Sequence, residues 1–215
     1  MLKIYYTAIQ QLPPPEIVQA KLHTLPQQMQ DKITAYKAPF EKALQLSSKL
    51  LLEELLRASW VDSEVGLDEI EISKTGKPLF NKPLYFSSAR SGNIAVTVAT
   101  DRGDVGIDIE KITLVDIDIY RGYFTVPEWD YITKSQNPTE SFFCLWTKKE
   151  AVVKAAGTGF FTSLASFDVL NKQCTVNNVT YKLSKVPLQE GYVCHVACTA
   201  DGEIIEILKR DVFKE

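Results

Sequence analysis

The sequence predicts an α+β protein with mostly antiparallel sheets, in two halves that share an order of elements. Three observations predict it. Short alternating runs rich in β-forming residues recur along the chain, and two long stretches carry apolar residues at helical spacing. Midway lies a strong turn, Asp101-Arg102-Gly103-Asp104. A chain of 215 residues has ample core for one large domain or two small ones, and this turn divides it into 1–102 and 103–215.

Residues 2–8 alternate as an opening strand, and Pro13-Pro14-Pro15 then breaks the chain before a polar, helix-compatible stretch over 16–36. Beyond Pro39, the residues Phe40, Ala43, Leu44, Leu51, Leu55 and Ala58 share one helical face, which predicts a helix to about Trp60. Residues 69–73 read as a short strand, Thr75-Gly76-Lys77-Pro78 as a turn, and 84–88 and 93–99 as strands. The second half opens with a strand at 105–109, followed by a helix over 140–156 and a turn at Gly157-Thr158-Gly159. Strands near 166–170, 180–184 and 192–199 complete it.

Hydrophobic residues at 45% and charged residues at 24% are ordinary for a soluble globular protein. A net charge of −3 argues against a general nucleic-acid binder. No apolar run approaches the roughly 20 residues that span a bilayer. The start, Met1-Leu2-Lys3-Ile4-Tyr5-Tyr6, does not read as a signal peptide, so the expectation is a cytoplasmic protein without membrane contact. Four cysteines make no disulfide framework in such a setting. Cys194-His195-Val196-Ala197-Cys198 lacks zinc spacing, and alternation puts Cys194, Val196 and Cys198 on one face as small hydrophobes. Two histidines in all argue against His-triad metal sites and His-based hydrolases.

Gly106-Ile107-Asp108-Ile109-Glu110-Lys111 is the most informative hexapeptide. On a strand, Ile107 and Ile109 face a core, while Asp108 and Glu110 share the opposite face. Two close carboxylates repel unless a cation sits between them, and Mg²⁺ takes one or two carboxylates and completes its octahedron with water and phosphate. An edge strand with a solvated acidic face explains the same pattern. Trp146-Thr147-Lys148-Lys149-Glu150-Ala151-Val152-Val153-Lys154 places Glu150 and Lys154 on one helical face. Taken alone, a Thr147–Glu150 capping box and a Glu150–Lys154 ion pair account for it, with Trp146 in the core.

In their order the motifs go further. Gly76-Lys77-Pro78, Phe86-Ser87-Ser88-Ala89-Arg90-Ser91, Gly106 to Glu110, Trp146 to Lys154 and Gly157-Thr158-Gly159 follow one another as in the phosphopantetheinyl transferases of the surfactin-synthetase type, which the sequence resembles. The segment Tyr123-Phe124-Thr125-Val126-Pro127-Glu128 falls where that family has another glutamate. The resemblance implies two pseudo-two-fold-related halves, each a small, mostly antiparallel sheet with a long helix, and an active site in the cleft between them. It implies transfer of the 4′-phosphopantetheine arm of coenzyme A to a serine of an apo acyl or peptidyl carrier protein, with release of 3′,5′-ADP. Asp108, Glu110 and Glu150 would hold Mg²⁺ (Mn²⁺ is the alternative) against the pyrophosphate. Glu150, Glu128 or a metal-bound water would take the serine proton, and Lys154 would neutralise the leaving phosphate. Lys77, Arg90, Asp108 and Lys154 would contact coenzyme A, and a two-lobed chain implies a monomer.

The chain departs from the family at two places. Ala89-Arg90 replaces a Ser-His pair, and Gln45 stands at a customary arginine, with Lys32, Lys37, Lys42 and Lys49 as nearby cations. Arginine can serve as a phosphate ligand with a permanent charge and a bidentate fork. A coenzyme A-binding protein without transfer activity is the alternative that these replacements raise.

Overall fold

The computed structural model describes residues 2–59, 65–199 and 204–214. The first half begins with strand β1 (Leu2–Ala8), two short helices α1 (Pro15–His23) and α2 (Gln27–Thr34), and the long helix α3 (Pro39–Ser59). Prolines set these boundaries: Pro15 sits in the first turn of α1, where its missing N–H would be unpaired anyway. The expected end of α3 at Trp60 lies outside the described residues. A small hairpin of β2 (Ile70–Ile72) and β3 (Pro78–Phe80) follows, then β4 (Tyr85–Ser91) and β5 (Ile94–Thr100). The second half holds β6 (Val105–Lys111), α4 (Val126–Lys134), the long helix α5 (Pro138–Ala156), and β7 (Gln173–Val176), β8 (Val179–Lys185) and β9 (Tyr192–Cys198). The last strand is β10 (Ile204–Lys209).

Helices and antiparallel sheets make this an α+β structure. One four-stranded sheet has the order β10-β1-β5-β4 and another the order β6-β9-β8-β7. All pairings in the second sheet are antiparallel. In the first, β1 pairs antiparallel with β5 but parallel with β10. The chain therefore returns with its last strand to the sheet in which it started.

Three clusters of buried residues give the layering. One lies between α1, α2, α3 and the outer face of the first sheet, and a second between α4, α5 and the outer face of the second sheet. The third is the contact of the two sheets, where Ile4, Val96 and Val98 meet Ile107, Ile109 and Val196. The order is helix, sheet, sheet, helix, so β5 is buried along its whole length. Alanines 95 and 99 face α3 while Ile94, Val96 and Val98 face the other sheet. Cys194, Val196 and Cys198 belong to this inter-sheet core, in agreement with the alternation of the sequence. Among the described residues no disulfide forms, and no helix is long and apolar enough to cross a membrane.

Two expectations differ from the structure. Residues 166–170 form no strand; a 3-10 turn at Leu164–Ser166 leads into irregular chain, and the strand begins at Gln173. The Thr147–Glu150 capping box does not exist, because α5 starts at Pro138 with Asn137 as its N-cap. Thr147 is mid-helix, and its hydroxyl donates to the Phe143 carbonyl at 2.8 Å. A capping box forms instead at Thr125 and Glu128, at the start of α4.

Candidate active site

The site begins at the seam between the two sheets. β4 and β6 lie side by side as edge strands, joined by serines rather than by a backbone ladder. The Ile107 N–H donates to Ser87 Oγ at 3.2 Å, and the Lys111 N–H donates to Ser91 Oγ at 3.0 Å. Across the sheet from the inter-sheet core, β6 presents Gly106, Asp108 and Glu110 to α5. Gly106 permits this approach: a Cβ there would lie 2.1 Å from the Ala151 carbonyl oxygen and 2.4 Å from the Ala155 nitrogen. The glycine of the hexapeptide thus lets the helix bearing Glu150 and Lys154 rest on the strand bearing Asp108 and Glu110.

The two elements meet in a compact charged group. Lys154 Nζ donates to Asp108 Oδ1 at 2.6 Å and to the Ile107 carbonyl at 3.2 Å. It turns across to β6 rather than along α5 to Glu150, so a helical ion pair is not what Lys154 forms. Asp108 is 6% exposed, and its Oδ2 is buried with no hydrogen-bond partner. Burial raises the Asp108 carboxyl above its ordinary range, opposed by Lys154. Burial also raises Glu110, with Asp108 and Glu150 adding repulsion against a bond from Ser91. Glu150 is raised by burial and by the Asp108 charge, and Lys154 opposes this too. The acidic face of β6 is therefore a covered, mutually repelling set, not a solvated edge.

Of this group, Glu150 and Lys154 border a cavity of about 660 Å³. Its lining includes Lys77, Phe86 and Ser88 from the first half and Trp146, Glu150 and Lys154 from the second. Tyr123 also lines it, and its ring meets Trp146 edge-on at 5.7 Å. Trp146 is half-buried and stacks on Phe142 at 5.9 Å, so it is both packed and part of the cavity wall.

The structure thus brings together Asp108, Glu110, Glu150 and Lys154. Three other predicted residues stand apart. Lys77 lines the cavity, but its ammonium donates to Asp104 Oδ1 at 2.7 Å and to the Ala155 carbonyl at 2.6 Å, closing the end of α5. Gly157, the left-handed cap of α5 with φ +65°, leaves room for the Lys77 stem. Arg90 lies on the α3 side of β4, where Nη1 donates to Ser48 Oγ at 3.3 Å. Burial lowers the Lys49 ammonium there, with the charges of Arg90 and Lys32 acting in the same sense. Of the four lysines, Lys49 is thus the one beside Arg90, and Tyr36 and Glu41 act on Arg90 from the same side.

Glu128 is the third of these residues. It is fully buried and pairs with Lys149, also fully buried, at 2.8 Å. Its other contacts are bonds accepted from the Thr125 and Val169 backbone N–H groups at 2.8 and 2.9 Å. A carboxylate so enclosed and so fully engaged ties α4 to α5 and to the chain at Val169.

Sequence reasoning missed Ser91, whose hydroxyl donates to Glu110 Oε2 at 2.7 Å and fixes that carboxylate. It falls inside the Phe86–Ser91 motif, but its orientation depends on β4 and β6 becoming neighbours. Asp108, Glu110 and Glu150 offer only oxygen, the donor type of hard divalent cations, and Asp108 Oδ2 is a buried acceptor without a hydrogen. With Asp108 Oδ1 turned to Lys154 and Glu110 to Ser91, no three metal-ligating side chains among the described residues form one ready cluster. A cation that keeps several waters and takes few protein ligands fits such a set.

Comparison with known proteins points the same way. Residues 104–197 match the family model described as the 4′-phosphopantetheinyl transferase superfamily. The chain is 32% identical over 158 residues to the 4′-phosphopantetheinyl transferase gsp of Aneurinibacillus migulanus, covering 67% of this chain and 65% of that protein. It is 30% identical over 129 residues to the 4′-phosphopantetheinyl transferase Sfp of Bacillus subtilis strain 168, covering 56% and 57%. With the 4′-phosphopantetheinyl transferase AcpT of Salmonella typhi the identity is 32% over 114 residues, covering 47% and 59%. The matched part thus spans less than two thirds of the length of each of these relatives.

Proposed function

We propose, from the match of residues 104–197 to the 4′-phosphopantetheinyl transferase superfamily model, that this protein transfers the phosphopantetheine arm of coenzyme A to a serine of an apo carrier protein. The observation that carries the reading is the Asp108–Glu110–Glu150–Lys154 group at the wall of a cavity shared by both halves. In the reaction, the carrier serine Oγ attacks the β-phosphorus of coenzyme A. The bond from that phosphorus to the bridging oxygen breaks, and 3′,5′-ADP leaves with the bond's electrons.

Each residue has a role suited to where it stands. Glu150 borders the cavity, where it is placed to take the serine proton. Lys154 supplies positive charge to the leaving phosphate from a fixed position on Asp108 Oδ1, where little reorganisation is needed. Asp108, Glu110 and Glu150 would hold Mg²⁺, or Mn²⁺ in its place. When bound, such an ion neutralises charge on the pyrophosphate oxygens. Arg90 and Lys49, with Lys32 near Lys49 and Glu41 near Arg90, form a mainly cationic group that suits the phosphate of the nucleotide end. Lys77 supports the same end through its stem and its hold on α5. Glu128, enclosed with Lys149, is left out of proton transfer in this reading.

Two lobes, each with a four-stranded sheet and one long helix, support a pseudo-two-fold reading with the site at their junction. Both cavity walls come from one chain, which supports a monomer.

The deciding experiment incubates the protein with coenzyme A, Mg²⁺ and a panel of apo acyl and peptidyl carrier proteins. The expected result is a mass gain of one phosphopantetheine on at least one carrier. If the folded protein adds nothing to any carrier, while an active transferase modifies them alongside, the reading fails. Tight calorimetric binding of coenzyme A without transfer would identify a binding protein instead.

A further inference from the structure

We infer that Glu128 and Lys149 act as a positioning pair, holding the loop at residues 159–169 against α5 and thereby setting the shape of the cavity. The inference rests on the transferase reading for its kinetic consequence, but its structural part stands independently.

The pair joins three pieces of the wall. Lys149 projects from α5 next to Glu150, and its Nζ donates to Glu128 and to the carbonyls of Leu164 and Phe167 at 2.7 and 2.6 Å. The ammonium also lies 4.6 Å from the centre of the Phe167 ring. Glu128 sits in the first turn of α4, and one oxygen accepts the Val169 N–H at 2.9 Å. Thr162, Ser163 and Leu164 of the tethered loop line the cavity, as do Gly122 and Tyr123 just before α4. One buried ion pair therefore connects the Tyr123 wall, the Glu150 helix and the 162–164 wall.

Two physical points favour positioning over bulk stability. A buried ion pair gives up so much hydration that apolar residues of similar size usually stabilise a fold as well or better. What an apolar pair cannot do is bond two carbonyls and an N–H of a segment that has only isolated 3-10 turns of its own. Beyond these bonds, the loop is tied to α5 by Lys148 Nζ, which donates to the Val169 carbonyl at 3.1 Å. Both tethers come from the Lys148-Lys149 step that directly precedes Glu150.

The test compares Glu128→Gln and Lys149→Met with wild type by hydrogen exchange and by steady-state transfer. Positioning predicts that amides over 160–169 exchange at least about tenfold faster in both variants, while β6 and β9 keep their protection. It also predicts that KM for coenzyme A rises about tenfold while kcat falls less than about threefold, the signature of a loosened binding wall. Glu128→Gln is close to isosteric, so it carries the test if Lys149→Met does not fold. Unchanged exchange over 160–169, or an equal rise throughout the chain, overturns the inference. A collapse of kcat in Glu128→Gln at unchanged KM overturns it too, because that marks a proton-transfer residue. If wild type transfers nothing, the transferase reading has failed, and the exchange comparison still decides the tether.

Discussion

Replacing Gly106 with alanine probes the contact on which the candidate site depends. The added Cβ would stand 2.1 Å from the Ala151 carbonyl oxygen, 2.4 Å from the Ala155 nitrogen and 3.0 Å from the Lys154 carbonyl carbon. The nearest of these is about 1.3 Å short of the 3.4 Å where ordinary contact begins, and interiors have few voids to absorb the difference. All three atoms are backbone, so no side chain can swing aside, and α5 itself must move. Overpacking typically costs about 1–3 kcal/mol, and the rigid partners here place the cost at the upper end. For a chain of this size that corresponds to a fall in Tm of about 5–10 °C.

The same displacement would stretch the 2.6 Å bond from Lys154 to Asp108 and shift Glu150 relative to Glu110. A misplacement of about 1 Å at reacting groups can cost about 100-fold in rate. Calorimetric melting and the carrier mass-gain assay, run on the same preparation, separate the two consequences. If the variant melts within about 1 °C of wild type, the close approach of β6 and α5 is wrong. If it melts lower yet transfers at the wild-type rate, the packing stands and its coupling to catalysis is refuted.

Other perturbations address separate parts of the site. Asp108→Asn removes a buried charge with one unpartnered oxygen, so transfer should fall about 100-fold or more while the melting temperature stays within a few degrees; unimpaired turnover would remove Asp108 from the machinery. Arg90→Ala with Lys49→Ala should weaken coenzyme A binding by about 10- to 100-fold and leave dephospho-coenzyme A binding unchanged, as measured by calorimetry; equal losses for both ligands would refute a role at that phosphate. His195 is 2% exposed and held by burial at a pKa of about 3, below its ordinary 6.5. The unfolded chain therefore binds a proton that the folded chain refuses, and stability falls as pH drops from about 6.5 towards 3, by up to about 1.4 kcal/mol per unit. His195→Gln should flatten that limb in urea titrations between pH 7 and 4, and an unchanged slope would place the acid sensitivity elsewhere.

How much could be read in advance depended on how local each cause was. The helix from Pro39 and the strand carrying Asp108 announce themselves through the spacing of Leu44, Leu51 and Leu55 and of Ile107 and Ile109, which the buried clusters reproduce. The pairing of β10 with β1 could not be read, because its partners lie some two hundred residues apart and only the closed sheet joins them. The apolar residues at 167, 169 and 170 suggested a strand, yet the segment is fixed by Lys148 and Lys149 reaching from α5. Glu128 carries a local signal besides its family position. Thr125 and Glu128 have capping-box spacing, and the structure forms that box at the start of α4. Gly106 was legible as a motif residue, but its reason, a helix backbone pressed against it, is tertiary.

The layering also explains why the site sits where it does. The backs of both sheets are committed to one shared apolar core, so neither sheet can turn a polar face inward there. Polar residues of β6 must therefore face α5, and Gly106 brings that helix close enough to cover them. Asp108, Glu110 and Glu150 are then raised by burial, with Lys154 as the cation that opposes the rise in all three. When all three ionise, one ammonium cannot balance them, and a low-dielectric setting magnifies the residual repulsion. Structural economy would replace such a set with apolar residues, as buried charges usually permit. Its retention beside the cavity follows if the unbalanced negative charge is the working feature, awaiting a cation and the phosphates that accompany it.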